Sequence, residues 1–345
     1  MIHFTIERLD TILNNARGKS IMVVGDMMID RYLWGTVHRL SPEAPVPIIN
    51  IEDEDIRFGG AANVANNIIS LGATPIVVGV IGQDFWGLRF KSMLQEQQLT
   101  ADGLIIEPDR PTTIKTRIIG NNQHIARVDR EKTYPISAQT MQKLLAFIQA
   151  HITQTDAIIL QDYNKGVLIP ELIQSIVQLA NQHQVPVTVD PKFHNFMTYK
   201  NVTLFKPNRR ETEEALAMRL HRQEDILNAG NHLLQKLNAQ AVLITLGEQG
   251  MALFEQEKPP VFMVTRARKV ADVSGAGDTV IASVTVALSA GASMEEAVVL
   301  SNYAAGVVCE EVGVVPITTQ ALKETVIANQ NYFNQIDQQQ SGNAL

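Results

Sequence analysis

Residues 272–291 read DVSGAGDTVIASVTVALSAG, a run of small residues leading into an apolar helical segment. Small side chains at 274–277 let the backbone come close to a ligand, and the N–H groups that open a helix point at it, which makes an anion site. A carboxylate in such a site repels phosphate if it has no other task. Asp278 therefore suits a base that takes a hydroxyl proton while backbone amides hold a transferring phosphoryl group. Taken alone, the segment is equally a tight glycine turn with Asp278 capping the helix, so its surroundings decide.

Outward from it, short apolar runs alternate with longer amphipathic stretches. IMVVG (21–25), IVVGVIG (76–82), AIILQD (157–162), PVTVD (186–190) and VLITLG (242–247) have the character of parallel strands buried on both faces. Helices are expected between them, at 61–71, 85–97, 137–151, 170–184, 222–237, 278–290 and 294–311. This alternation predicts a three-layer α/β/α core with a mainly parallel sheet. No short repeat period occurs, so a solenoid is not supported.

Residues 31–58 and 104–130 break the rhythm. Patterns such as PVPIINIED and TTIKTRIIG suggest antiparallel strands outside the main sheet, forming a small β lid. The polar stretch 336–345 is expected to fray, which leaves 1–335 as one domain with lid segments.

The first strand ends in Gly25-Asp26-Met27-Met28-Ile29-Asp30, placing two carboxylates at the strand's C-terminal edge, where ligands of open α/β sheets bind. Asp26 and Asp30 can accept hydrogen bonds from sugar hydroxyls, although Asp30 equally suits a turn cap. Gly59 and Gly60 would let backbone approach a sugar ring, and Asn63 and Asn67 would add polar contacts.

Gly59-Gly60-Ala61-Ala62-Asn63-Val64-Ala65, Leu71-Gly72-Ala73 and Gly82-Gln83-Asp84-x-x-Gly87, followed far downstream by DVSGAGDT, resemble the two signatures of the ribokinase-like (PfkB) sugar kinases. The resemblance runs over roughly residues 20–320 and implies a ribokinase-like fold that uses ATP and magnesium. By the motif, Asp278 would be the catalytic base and the amides of Gly275, Ala276 and Gly277 the anion hole. Asp272 matches an acidic position that helps bind a monovalent cation, potassium, in many members; a bare strand-end carboxylate would cap a turn instead. Asn208 and Glu211 match the family's NxxE motif for magnesium and phosphate placement, Glu211 acting through water, while the bare spacing also reads as a helix capping box. Adenine contacts would lie near Gly247, Gly250 and Asn302. Lids in this family often pack against a second subunit, which implies a homodimer.

Within that family, GDMMIDRYLWG (25–35), RLSPEAPVP (39–47) and Asp190-Pro191-Lys192 are most similar to the kinases of D-glycero-D-manno-heptose 7-phosphate. These phosphorylate O1 and give the 1,7-bisphosphate on the way to ADP-heptose and the lipopolysaccharide core. Such a substrate needs fixed cations for its existing phosphate. Lys165 and Lys192 are the first candidates, with Arg31 and Arg127 behind them. No two of the histidines, at 3, 38, 124, 151, 183, 194, 221 and 232, are three apart, so the HxGH element of a fused nucleotidyltransferase is missing. The kinase-only form is expected. The other readings are a ribokinase-like kinase for a different sugar or sugar phosphate, and a catalytically silent sugar- or nucleotide-binding regulator. The intact GAG turn and Asp278 disfavour the last.

Bulk properties agree. The 345 residues are 45% hydrophobic and 19% charged, which is ordinary for a globular protein, and the net charge of −7 disfavours nucleic acid as a partner. Cys309 is the only cysteine, so neither an internal disulfide nor a cysteine-based zinc cluster can form. No apolar run long enough to span a membrane and no secretory leader is present, so a cytoplasmic location is expected. P-loop, dinucleotide-binding GxGxxG and HExxH motifs are absent, and His124 reads as a surface or core histidine rather than a catalyst.

Overall fold

A computed structural model describes residues 4–266, 273–311, 313 and 315–329. Helix α1 (Ile6–Ala16) leads into β1 (Ser20–Gly25), and then follow β2 (Met27–Leu40), β3 (Pro47–Gly60), α2 (Ala61–Ser70), β4 (Thr74–Ile81) and α3 (Phe85–Glu96). Next come β5 (Leu104–Ile106), β6 (Thr113–Gly120), β7 (Gln123–Arg130), α4 (Ala138–His151), β8 (Ala157–Gln161), α5 (Pro170–Gln182) and β9 (Val187–Asp190). The remainder is β10 (Leu204–Phe205), α6 (Arg209–Leu216), α7 (Gln223–Leu237), β11 (Ala241–Thr245), β12 (Met251–Glu255), β13 (Val261–Met263), α8 (Ala276–Ser289) and α9 (Met294–Cys309), with a further helical stretch over 319–329.

A nine-stranded sheet in the order β13-β12-β11-β10-β9-β8-β1-β4-β5 forms the middle layer, parallel from β11 to β5. Only β12 and β13 depart from this, as an antiparallel edge. Successive strand residues point to opposite faces. Ile21 and Val23 accordingly pack with α1, α2, α8 and α9, while Met22 and Val24 pack with α4, α5 and α7. Burial on both faces is why these strands read as unbroken apolar runs. Met27 and Met28 are part of the core.

The lid is a separate four-stranded sheet, β3-β2-β6-β7. It differs from the sequence expectation in three ways. Its first half spans Met27–Gly60, because β2 leaves the main sheet after a single residue, Asp26. Residues 104–106 belong instead to the large sheet, where Leu104 is buried and β5 pairs in parallel with β4. The two hairpins, antiparallel within themselves, join through a parallel β2–β6 contact.

Asp84, in the Gly82-Gln83-Asp84 motif, clasps the lid to the core. Its Oδ1 accepts from Gly87 N (2.9 Å), capping α3, and from Thr112 Oγ1 (2.7 Å), while Oδ2 accepts from Thr112 N (3.0 Å) just before β6. Burial opposes its ionisation, but the bonds from Thr112 and Gly87 outweigh it and hold the carboxyl below its ordinary range.

Candidate active site

The C-terminal ends of β1, β8, β9 and β10 converge on the N-terminus of α8, which is the edge where open α/β sheets bind ligands. Gly275 occupies the N-cap of α8 at φ +81°, a left-handed conformation that favours glycine, and no side chain caps the helix. The first bond inside the helix runs from Thr279 N to Gly275 O (2.9 Å), so the amides of Gly277 and Asp278 ahead of it point out of the helix end. Ala276 N–H is already used, donating to Val273 O (3.2 Å).

Asp278 is buried at this junction. Its Oδ2 accepts from Asn63 Nδ2 (2.7 Å), and its Oδ1 accepts from Tyr163 OH (2.7 Å) and Gln161 Nε2 (3.1 Å). Burial pushes its pKa from 3.8 up to about 6; the bonds from Asn63 and Tyr163 pull it down, Asp190 adds to the rise and Lys206 opposes it. A carboxylate that titrates near the operating pH is suited to taking a proton. Gln161 Nε2 also donates to Asp190 Oδ2 (3.1 Å), and Asp190 is paired with buried Lys206 at 3.0 Å. Gln161, Tyr163 and Lys206 were not assigned from sequence. AIILQD and KPNRRE both carried a usable signal, since each follows a buried strand at its ligand-facing end.

Two adjoining cavities flank this centre and share Thr245, Gly247, Val273 and Gly277. One, of about 570 Å³, is lined by Asp278, Asp190, Lys192, Lys206 and Asn208. The other, of about 550 Å³, lies against α8 and α9 and brings together Gly247, Gly250 and Asn302 with Val280 and Ala305. Asn302 Nδ2 donates to Val264 O (2.8 Å), so its amide holds the cavity wall. A polar trough continuing into an apolar slot has the shape and chemistry for the phosphates and base of a nucleotide.

Asn208 and Glu211 form a true capping box on α6: Glu211 N donates to Asn208 Oδ1 (2.8 Å) and Asn208 N to Glu211 Oε2 (2.8 Å). The other Glu211 oxygen pairs with Lys192. Each Glu211 oxygen thus has one protein partner, an arrangement that suits contact with a cation through water. Among the described residues no three carboxylate, histidine or cysteine side chains cluster as metal ligands. Those donors fit a divalent ion that is carried mainly by nucleotide phosphates. Asp272, matched to a monovalent-cation position, lies outside the described residues.

On the lid side, Asp30 is buried and its Oδ1 accepts from Arg117 (2.5 Å). A Cβ added at Gly59 would stand 2.6 Å from Asp30 Oδ2, so glycine keeps that oxygen open. Asp26 is turned the other way. Its Oδ2 accepts from the backbone N–H of Tyr163 (2.8 Å) and Lys165 (3.1 Å), and its Oδ1 from Val167 N (3.2 Å). Those amides hold the loop that follows β8, and burial together with Asp162 pushes Asp26 up to about 6. Asn67 is likewise internal: its Oδ1 accepts from Thr279 Oγ1 (3.1 Å) and Ile317 N (3.3 Å), and its amide donates to Asn63 O, tying α2 to α8.

The two lysines grouped from sequence sit apart. Lys192 lines the nucleotide-shaped trough, whereas Lys165 pairs with Glu131 (2.7 Å), which also binds Lys115 (3.0 Å) at the end of the lid. Burial opposes the charge of Lys192, but Asp190 and Glu211 outweigh it and keep the lysine cationic. Arg31 and Arg127 are engaged on the lid surface by Glu54 and Asp129, and His124 is exposed on β7.

A model of the pfkB family carbohydrate kinases matches residues 18–320. A Helicobacter pylori protein named bifunctional protein HldE is 45% identical over 295 residues, covering 86% of this chain and 64% of its own length. The chain thus spans just under two thirds of that relative. Among solved structures, Arabidopsis thaliana ribokinase complexed with ribose and ATP superposes with a TM-score of 0.70 at 20% identity, over 90% of this chain and 99% of its own. Escherichia coli phosphofructokinase-2 in complex with potassium superposes with a TM-score of 0.73 at 17% identity, over 90% and 98% respectively.

Proposed function

The chain belongs to the pfkB family of carbohydrate kinases, and from that premise we propose that it transfers the γ-phosphoryl group of ATP to O1 of D-glycero-D-manno-heptose 7-phosphate. The product is the 1,7-bisphosphate, a precursor of ADP-heptose and the lipopolysaccharide core. One observation carries the phosphoryl-transfer part: a buried carboxylate, Asp278, opens onto a trough with two lysines at the N-terminus of α8 and is held by Asn63 of α2, the helix that follows lid strand β3. The sugar rests on GDMMIDRYLWG and RLSPEAPVP, together with the 45% identity to the HldE protein.

In this reading Asp30 accepts from acceptor hydroxyls and Asp278 takes the O1 proton as the new P–O bond forms. The amides of Gly275 and Gly277 face the transferring phosphoryl group, and Lys206 and Lys192 counter its charge. Asp26 and Asn67 hold the frame around these groups. Magnesium, when bound, neutralises nucleotide phosphate charge, with Asn208 and Glu211 placed to steady its waters. Potassium would be sought near Asp272. Lys165, with Lys115 beside it, meets the acceptor's existing phosphate.

The protein acts in the cytoplasm as a homodimer joined through its lids. Strand register puts Leu33, Ile118, Ala126 and Val128 on one face of the lid and Asp30, Tyr32, Arg57 and Arg117 on the other. Val128 is 55% exposed, as suits a face that a second lid covers. No helix among the described residues is long and apolar enough to cross a membrane. ADP release from ATP and magnesium with a panel of sugars and sugar phosphates tests the reading. Turnover confined to unphosphorylated sugars would replace the acceptor but keep the kinase, and no turnover with any acceptor would favour a silent regulator.

A further inference from the structure

Asp278 has three protein donors, and their distribution between its oxygens is uneven. Tyr163 and Gln161 both donate to Oδ1, whereas Asn63 alone donates to Oδ2. A carboxylate offers about four acceptor sites, two on each oxygen. The one left over is on Oδ2, so the phenol and the amide together decide which oxygen can receive a proton.

Tyr163 is itself fixed from two sides. Its backbone N–H donates to Asp26 Oδ2 (2.8 Å), so the buried carboxylate at the end of β1 sets where the ring begins. The Lys192 ammonium then lies 5.7 Å from the ring centroid, over its face. The ring spans the gap between the base and a cation of the nucleotide-shaped trough.

We propose that Tyr163 is a positioning residue with two outputs: its hydroxyl occupies Asp278 Oδ1 so that Oδ2 alone faces the acceptor, and its ring face seats Lys192 toward the donor phosphates. The inference rests on the reading of Asp278 as the base. Burial raises the phenol well above its ordinary value, with Asp278 and Asp190 adding to the rise, so it remains a donor. The other charged groups around the carboxylate are Asp190, Lys206 and Lys192, and Tyr163→Phe substitutes none of them.

Tyr163→Phe and Tyr163→Leu separate the two outputs. Loss of the hydroxyl removes a bond that favours the ionised base, so Asp278 holds its proton to higher pH. In Tyr163→Phe the acid limb of the kcat–pH profile moves upward from its parental position, and kcat below it falls about tenfold while KM for ATP is unchanged. Tyr163→Leu shows the same shift of the limb and in addition a raised KM for ATP. A profile that keeps its parental pH dependence in Tyr163→Phe, whatever its height, overturns the proposal, as does a KM for ATP that rises equally in both variants. Asp278→Asn, run alongside, keeps the cases distinct. If that variant retains turnover the base reading falls and this inference with it; if it is inactive and Tyr163→Phe is unaltered, only this inference falls.

Discussion

Replacing Asp278 by asparagine keeps the shape of the side chain and removes its capacity to take a proton. A general base contributes about a hundred- to ten-thousandfold in rate, so turnover of Asp278→Asn should fall by that factor while ATP and acceptor still bind. The same change has a stability signature of opposite sign. Burial raises the carboxyl from 3.8 to about 6 in the folded protein. Between those values the folded state holds a proton that the unfolded chain has released, so stability falls as pH rises through the window and stays reduced above it. The difference corresponds to about 3 kcal/mol at neutral pH. Asparagine is neutral throughout and escapes that cost. One of its ends now donates, however, so Asn63 must turn its amide, which puts about 1 kcal/mol of hydrogen bonding at risk. The variant should therefore resist denaturant better than the parent by about 1–2 kcal/mol near pH 8, the gain vanishing near pH 4. Coupled ADP release, nucleotide binding and denaturant titrations at the two pH values check this. Retention of more than about half of parental turnover would refute the base assignment. Loss of turnover together with lower stability at both pH values would show the change to be a folding defect.

The two lysines should now behave differently. Lys192→Met is expected to raise KM for ATP and Lys165→Met that for the sugar phosphate, each by about tenfold or more; initial-rate kinetics with both substrates varied would contradict this if the effects were exchanged or shared. Asp26, also raised to about 6 by burial, adds to the loss of stability between about pH 4 and 6, so Asp26→Asn should flatten the parental fall in unfolding midpoint over that range. Gly60→Ala should cost more than about 2 kcal/mol, because Gly60 has φ 57° and a Cβ there would stand 2.5 Å from Asp26 O; an unchanged denaturation midpoint argues against that conformation. Val128→Glu on the exposed lid face should shift sedimentation from dimer to monomer, and a parent that is monomeric at assay concentrations removes the proposed dimer.

Much of this architecture was legible because its strands are buried on both faces, leaving unbroken apolar runs such as IMVVG and AIILQ whose character needs no knowledge of partners. The glycine turn before Asp278 was legible for a similar reason: small residues ahead of a long apolar helix have few other uses. What escaped depends on contacts between distant parts of the chain. Whether Asp26 faces a ligand or its own backbone is decided by amides 137 to 141 residues away. Lys192 and Lys165 look alike as strand-end cations, and only the folded loops after β9 and β8 put the first beside Glu211 and the second beside Glu131. Helix α6 is short and very polar, so its capping box was its sole local signal. β12 and β13 are five and three residues long, too short for their pattern to stand out from a loop.

Heptose O1 phosphorylation is tested by product analysis after incubating the protein with ATP, magnesium and D-glycero-D-manno-heptose 7-phosphate, alongside fructose 6-phosphate, ribose and unphosphorylated heptose. One ADP should be released per heptose 1,7-bisphosphate formed, with the new phosphate on O1 and far lower turnover on the other acceptors. Preferential phosphorylation of ribose or fructose 6-phosphate, or a heptose product carrying its new phosphate at any position other than O1, would contradict it.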